Sequence, residues 1–136
     1  VRFFFFFEGM KRCREHMLTI ATGMESLSAL VHYDADILRA AVQDERERLR
    51  FSSGRFKMRV LYSIADDLKT PSFGRNVEMR RVTSIPNFSG EINICSTFVL
   101  LAVPTPTITA IIIENESIAR LFLSFFDIAW SAADKK

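Results

Sequence analysis

The fold of this chain is decided by two short runs in which apolar and charged residues alternate. They read Phe-Lys-Met-Arg-Val-Leu at residues 56–61 and Val-Glu-Met-Arg-Arg-Val at residues 77–82. Alternation with a period of two is typical of a β-strand that is buried on one face. Both runs are therefore predicted to be strands, and they place β-structure in the middle of the chain.

Two helices are predicted on either side of these strands. Asp34 is a suitable N-cap, and apolar residues recur at helical spacing from about Ala35 to Arg50. Asn115 is a suitable N-cap for a second helix from Glu116 to about Ala133. The mixture of strands and helices predicts an α/β fold with a mixed β-sheet flanked by helices.

The other segments carry weaker patterns. We predict a helix over 3–14, a strand over 16–21, a short helix or loop over 24–33, a hairpin formed by 92–95 and 98–103, and a strand over 108–113. The last strand is continuously apolar and β-branched, which is typical of a central strand covered on both faces. A long helix between two strands also predicts one right-handed parallel crossover.

Length and composition indicate a single domain spanning residues 1–136. The chain is 49% hydrophobic and 25% charged, which is ordinary for a soluble globular protein. Its net charge of +2 is too small to argue for nucleic acid or an anionic membrane surface, so neither partner is expected. Because the sequence starts with Val1 instead of Met, we expect it to be a piece of a longer protein.

One uncharged segment, residues 92–113, is long enough to cross a membrane. Pro104 and Pro106 lie in its middle, and β-branched residues dominate it. Two strands joined by a Pro-Thr-Pro turn explain these features better than a transmembrane helix does. No membrane span is therefore expected.

The two cysteines, Cys13 and Cys95, lie far apart in the sequence. A chain with this much apolar content does not need a disulfide to fold, so we expect free, buried thiols. Free thiols are typical of a reducing compartment, and the expected location is the cytoplasm.

Catalytic and metal-binding motifs are scarce in the sequence. The only histidines, His16 and His32, have no cysteine or second histidine at ligand spacing, so no metal site is expected. The sequence has no Gly-x-Ser-x-Gly, no Walker loop and no Gly-x-Gly-x-x-Gly, and no cofactor is expected. Composition alone leaves a Ser-His-Asp arrangement open, but we predict no catalytic residue and a chain that is not an enzyme.

Arginines on the two alternating runs form the candidate ligand-binding set. If the two strands are neighbours, Arg59 and one of the pair Arg80 and Arg81 lie on the same face and could bind an anion. The alternative is that these are edge-strand charges that discourage aggregation. A small-molecule or anionic ligand is the partner that this set would take.

The final helix is apolar over more than one stripe, which predicts an interface. The residues expected to form it are Leu121, Phe122, Phe125, Phe126 and Trp130. An apolar patch of this kind on a monomer normally marks a binding surface. We therefore expect a homo-oligomer, such as a dimer, or a covalently attached output domain.

The same segments resemble phospholipase-D-like regulatory domains. Residues 56–61 resemble the Val-Lys-Val-Arg-Val-Leu strand of that family, and residues 77–80 resemble its Val-Glu-Val-Arg strand. Residues 109–133 resemble its closing unit, which is a strand, an Asn and a helix ending in Phe-x-x-x-Trp, here Phe126 and Trp130. The pattern is similar to the sensor domains of archaeal histidine kinases and to the C-terminal effector domains of TrmB-like transcription regulators.

This resemblance implies a phospholipase-D-like half-domain that has lost the hydrolase chemistry. Catalytic members carry His-x-Lys-x-x-x-x-Asp, in which the His is the nucleophile and the Lys binds phosphate. The sequence lacks this motif, which by position would fall near Ser89, Glu91 and Ser96. In the family, Arg-Gly precedes the first strand, whereas the order here is Gly54-Arg55.

The leading hypothesis for function is a non-catalytic sensory or regulatory domain of a signal-transduction or transcription-regulator protein. One alternative is a phospholipase-D-type phosphodiesterase or nuclease with a substituted site. Another is a nucleic-acid-binding module that uses the arginines between Arg46 and Arg59. Glu45 and Glu47 interrupt that basic stretch, which favours a charged helix face over a phosphate-binding stripe.

Overall fold

The described part of the chain forms one sheet with helices on both of its faces. The computed structural model describes residues 1–20, 26–37, 39, 57–73, 76–82, 90–103 and 107–135. The elements whose bounds are defined are β1 (Arg2–Phe5), α1 (Phe6–Ile20), β2 (Ser26–Tyr33), β3 (Lys57–Ile64), β4 (Val77–Arg81), β5 (Glu91–Ile94), β6 (Val99–Val103), β7 (Thr109–Ile113), α2 (Glu116–Ala132) and β8 (Asp134–Lys135).

The strands follow the order β1-β7-β6-β5-β2-β3-β4-β8 across the sheet. The pairs β2–β3 and β3–β4 are parallel, and the other neighbouring pairs are antiparallel. The predicted α/β class and mixed sheet are therefore confirmed. The two alternating runs of the sequence are the adjacent strands β3 and β4, with Arg59 opposite Glu78.

Helix α1 covers one face of the sheet, called here the α1 face. Cys13 of α1 is buried in a cluster with Leu27, Phe98 and Ile112 from three strands. A neighbouring cluster on this face contains six buried side chains, which are those of Ala29, Val31, Tyr33, Val60, Tyr62 and Ile64. Full burial of a large apolar side chain contributes about 1.5–3 kcal/mol, so these clusters dominate the stability of this side.

Helix α2 covers part of the opposite face, called here the α2 face. Its side chains Ala119, Phe126 and Trp130 are buried in a cluster with Leu61 and Val99 of the sheet. Leu61 lies between Val60 and Tyr62 in β3, and alternation along the strand sends it to the other side of the sheet. The sheet therefore has an apolar core on both faces.

Both predicted N-caps are present. The Asp34 carboxylate accepts a hydrogen bond from the Ile37 N–H at 2.9 Å, and residues 35–37 are helical. The Asn115 side chain accepts one from the Ile118 N–H at 3.0 Å and begins α2. Each bond satisfies an amide that has no partner within its own helix. Residue 39 is also helical, and the rest of the helix predicted to Arg50 lies outside the described residues.

The predicted hairpin and the rejection of a membrane span are supported by the three strands of residues 91–113. β5 and β6 pair antiparallel, with Ile92 opposite Leu101. β6 and β7 also pair antiparallel, with Leu101 opposite Ile111. In the described part of the chain, neither helix is long and apolar enough to span a bilayer.

Several predictions for the N-terminal segments are wrong. Residues 2–5 form β1, which pairs with β7, and the helix starts at Phe6 and continues through residues 16–20. Residues 26–33 form the interior strand β2 instead of a short helix or loop. Phe and β-branched residues suit strands in local pattern, but pairing with neighbouring strands determines which segment joins the sheet.

The strand predicted to be central and covered on both faces is covered on one face only. In β7, Ala110 and Ile112 are fully buried, whereas Thr109, Ile111 and Ile113 are half-buried. β7 lies second from the edge of the sheet, between β1 and β6. Its continuous apolar run therefore lines the α1-face core and a more open stretch of the α2 face.

The two cysteines are free and buried, as predicted. Cys13 in α1 and Cys95 after β5 belong to the same apolar cluster on the α1 face. Both thiols therefore contribute to packing between α1 and the sheet.

Candidate functional site

Two of the three predicted anion-binding arginines lie together on the α2 face. Arg59 stands opposite Glu78 in the parallel register of β3 and β4, and Arg80 follows Glu78 by two residues. Arg59 and Arg80 therefore project to the same side of the sheet. Arg81 stands opposite Tyr62, whose side chain belongs to the α1-face core, and it projects away from the other two.

Arg59 is held by polar groups and by two aromatic rings. Its Nη2 lies 2.9 Å from Oδ1 of Asp127 and donates to the Ser28 hydroxyl at 3.1 Å. Its guanidinium carbon lies 5.0 Å from the centre of the Phe126 ring and 5.5 Å from that of Trp130. The side chains of Arg59 and Asp127 are 35% and 54% exposed, so water weakens this ion pair.

Arg80 is more deeply buried and holds the end of α2. Its Nη1 donates to the Trp130 carbonyl at 2.6 Å, and its guanidinium carbon lies 4.2 Å from the centre of the Trp130 ring. Its Nη2 lies 3.8 Å from Oε2 of Glu78, and the side chain is 15% exposed. A cation next to the last carbonyls of a helix is favourable because those carbonyls carry the negative end of the helix dipole.

Trp130 joins the two arginines into one unit, called here the Arg–Trp cluster and formed by Arg59, Arg80, Phe126, Asp127 and Trp130. The Trp130 ring stacks on Phe126 with centroids 5.8 Å apart and an angle of 17° between their planes. Asp127 and Glu78 balance the two guanidinium charges. Chemically, the cluster can bind an anion by exchanging it for a carboxylate, and the half-exposed Arg59 is the side chain best placed to do so.

The two histidines lie on opposite sides of the sheet. His32 is near the end of β2 on the α2 face, and its Nδ1 lies 2.7 Å from the Ser63 hydroxyl. His16 lies in α1 on the other side, and its Nε2 lies 2.6 Å from Oε1 of Glu114. The His32 N–H donates to the Gly90 carbonyl at 3.3 Å, between the positions where the phospholipase-D motif would fall.

The five residues expected to form an interface divide into two groups. Leu121 and Phe125 are exposed, whereas Phe126 and Trp130 are buried against the sheet. Phe122 is half-buried beside the same core. The exposed side of α2 also includes Ile128, which the sequence analysis did not select, although its spacing from Leu121 and Phe125 places it on their side.

Sequence reasoning missed the polar partners of Arg59, which are Ser28 and Asp127. No local signal points to them, because they come from β2 and α2, distant in the sequence. The alternation of β4, in contrast, already placed Glu78 and Arg80 on one face. Within the described residues, no group of three or more His, Cys, Asp or Glu side chains could hold a metal ion.

Comparison with known proteins identifies the fold. No family model matches the chain, and no curated protein sequence is significantly similar to it. Among solved structures, NucT from Helicobacter pylori has a TM-score of 0.66 at 11% identity over 99% of this chain and 98% of its own. Nuc from Salmonella typhimurium, a phospholipase D family member, has a TM-score of 0.62 at 15% identity over 99% of this chain and 96% of its own.

A third similar structure is TrmBL2, an archaeal chromatin protein whose structure shows a mode of DNA binding. Its TM-score is 0.54 at 17% identity over 95% of this chain, which spans 63% of the TrmBL2 chain. At these identities the similarities establish the fold alone, and the fold is phospholipase-D-like. The prediction that nucleic acid is not a partner is wrong as an argument from charge, because a DNA-binding protein has this same fold.

Proposed function

We propose that this chain is a non-catalytic regulatory module with a phospholipase-D-like fold. Support comes from its histidines, because the family chemistry needs a nucleophilic His beside a phosphate-binding Lys. The sequence has no His-x-Lys, and His16 and His32 lie on opposite sides of the sheet. His32 is hydrogen-bonded to Ser63 and His16 to Glu114.

Purified protein is expected to hydrolyse no bis(p-nitrophenyl) phosphate above the buffer rate, because no described histidine is paired with a lysine. The measurement is the release of p-nitrophenol, with a catalytic phospholipase D as the positive control. His32→Ala and His16→Ala are expected to match the wild type. Hydrolysis that disappears in His32→Ala would favour the substituted phosphodiesterase site instead.

The regulatory input that we propose is an anion bound by Arg59 in the Arg–Trp cluster. Arg59 is 35% exposed and lies against two aromatic rings of α2, while its partner Asp127 is 54% exposed. An anion that replaces Asp127 at Arg59 would release the carboxylate of α2 from the sheet. Arg80 is more buried and bonds the Trp130 backbone, so its part in this proposal is to position the ring.

Inorganic phosphate is expected to change the fluorescence of Trp130 in a saturable way, because the ring contacts Arg59 and is the only tryptophan of the chain. Arg59→Gln removes the charge and is expected to raise the dissociation constant by at least about tenfold. Arg81→Gln is the matched control and is expected to respond like the wild type, since Arg81 projects to the other face. An unchanged response in Arg59→Gln would contradict the assignment.

A second candidate function is binding of DNA, and the similarity to the DNA-binding protein TrmBL2 favours it. Repeating the fluorescence titration with a short DNA duplex separates the two candidates. Binding of the duplex that weakens steeply with salt would support the DNA module, because phosphate contacts release counterions. Binding of phosphate without binding of the duplex would support a small-anion ligand.

The cytoplasmic location is also part of this proposal. Its support is the pair of free, buried thiols, Cys13 and Cys95, which are typical of proteins kept in a reducing compartment.

A further inference from the structure

Helix α2 carries a second apolar surface on the side away from the sheet. Its members are Leu121, Phe125 and Ile128, called here the outer stripe, and they are 56%, 66% and 69% exposed. Their spacings of four and three residues align them on one side of the helix. The opposite side holds Ala119, Phe126 and Trp130, which are buried in the α2-face core. The outer stripe therefore packs against nothing in the described part of the chain that buries it.

Two opposite charges lie along one edge of the outer stripe. At 100° per residue, Arg120 and Asp127 fall on the same flank of α2, seven residues apart, which is about 10 Å along the axis. Their side chains are 73% and 54% exposed. The cation lies toward the N-terminal end of the stripe, and the anion lies toward its C-terminal end.

We infer that the outer stripe binds the outer stripe of a second copy of this chain, with the two α2 helices antiparallel. In antiparallel helix pairs the same flank of each helix meets, with the chain direction reversed. Arg120 of one copy then lies near Asp127 of the other, and a two-fold axis repeats the contact. A parallel pair would place Arg120 against Arg120.

The apolar contacts of the pair follow from the same geometry. Leu121 of one copy faces Ile128 of the other, and Phe125 lies close to the two-fold axis. Charge order along the flank therefore favours a second copy. A membrane surface fits less well, because a membrane-bound helix needs basic residues on its polar face, and α2 has Arg120 as its only basic residue. This inference is independent of the proposed function, since the Arg–Trp cluster lies on the inner side of α2.

The first test is the molar mass in solution. Light scattering on the wild type at rising concentration is expected to reach twice the chain mass of 15.6 kDa. Phe125→Asp is expected to remain monomeric with an unchanged circular dichroism spectrum, because Phe125 is 66% exposed. Phe3→Asp, at another exposed phenylalanine, is the matched control and is expected to remain dimeric. Arg120→Glu is expected to weaken the dimer about twofold to tenfold.

The second test determines the direction of the two helices. Ser124 and Ser117 are both exposed on α2, and each is replaced by Cys in turn. In the antiparallel pair, the two Ser124 positions lie beside the axis, whereas the two Ser117 positions are about 20 Å apart along it. A short bis-maleimide is expected to link Ser124→Cys and not Ser117→Cys.

The wild type measures any reaction of the buried native thiols with the cross-linker. Linking of both variants, or of neither, would contradict the antiparallel pair. A monomeric wild type at all concentrations would overturn the dimer itself and leave the outer stripe to a different covering segment.

Discussion

Replacing Trp130 by Ala is expected to lower the free energy of unfolding by about 3–5 kcal/mol, the usual cost of removing a buried aromatic ring. Trp130 is 8% exposed and stacks on Phe126 in the α2-face core. The substitution also removes the ring above which the guanidinium of Arg80 lies at 4.2 Å. A domain of this kind has about 5–15 kcal/mol of stability in total, so a large fraction would be lost.

Urea denaturation followed by circular dichroism measures this effect, since the variant has no tryptophan fluorescence. Trp130→Phe keeps an aromatic ring and is expected to lose less. Ser131→Ala changes the neighbouring exposed residue and is expected to stay within about 0.5 kcal/mol of the wild type. A Trp130→Ala variant as stable as Ser131→Ala would show that α2 contributes little to the fold.

Replacing Gly90 by Ala is expected to destabilise the protein by about 2–4 kcal/mol. Gly90 has a φ of +126°, a backbone conformation that residues with a side chain rarely adopt. A Cβ at this position would lie 2.4 Å from the Ala102 carbonyl oxygen, which belongs to the neighbouring strand. The backbone must shift to accept it, and this shift weakens the start of β5.

Thermal and urea unfolding of Gly90→Ala measure the loss. Ser96→Ala lies in the exposed turn of the same hairpin and is the matched control, expected within about 0.5 kcal/mol of the wild type. The Gly90 carbonyl also accepts the His32 N–H, so Gly90→Ala is expected to shift the backbone amide signal of His32. Equal stability of the two variants would contradict the steric argument.

Much of the fold follows from patterns within single segments. The alternation of residues 57–64 and 77–81 identified β3 and β4, because a sheet sends successive side chains to opposite faces. Asp34 and Asn115 identified two helix starts, since a short polar side chain can bond the free amides of a first turn. These features depend on neighbours a few residues away.

The N-terminal segments failed for the opposite reason. Phe3 to Phe5 could form either a helix or a strand by local pattern, and their pairing with β7 decides for a strand. Residues 26–33 become an interior strand because β3 and β5 pair with both of their edges. Such pairings join segments that are tens of residues apart, and periodicity within one segment carries no information about them.

The candidate site shows the same division. The sequence by itself determined that Arg59 and Arg80 belong to strands and that α2 is apolar on more than one side. Only the tertiary structure decided that Arg80 and not Arg81 shares the face of Arg59, that Asp127 and Ser28 hold Arg59, and that Trp130 lies between two guanidinium groups. Strand register and helix docking set these contacts, and both depend on packing across the whole sheet.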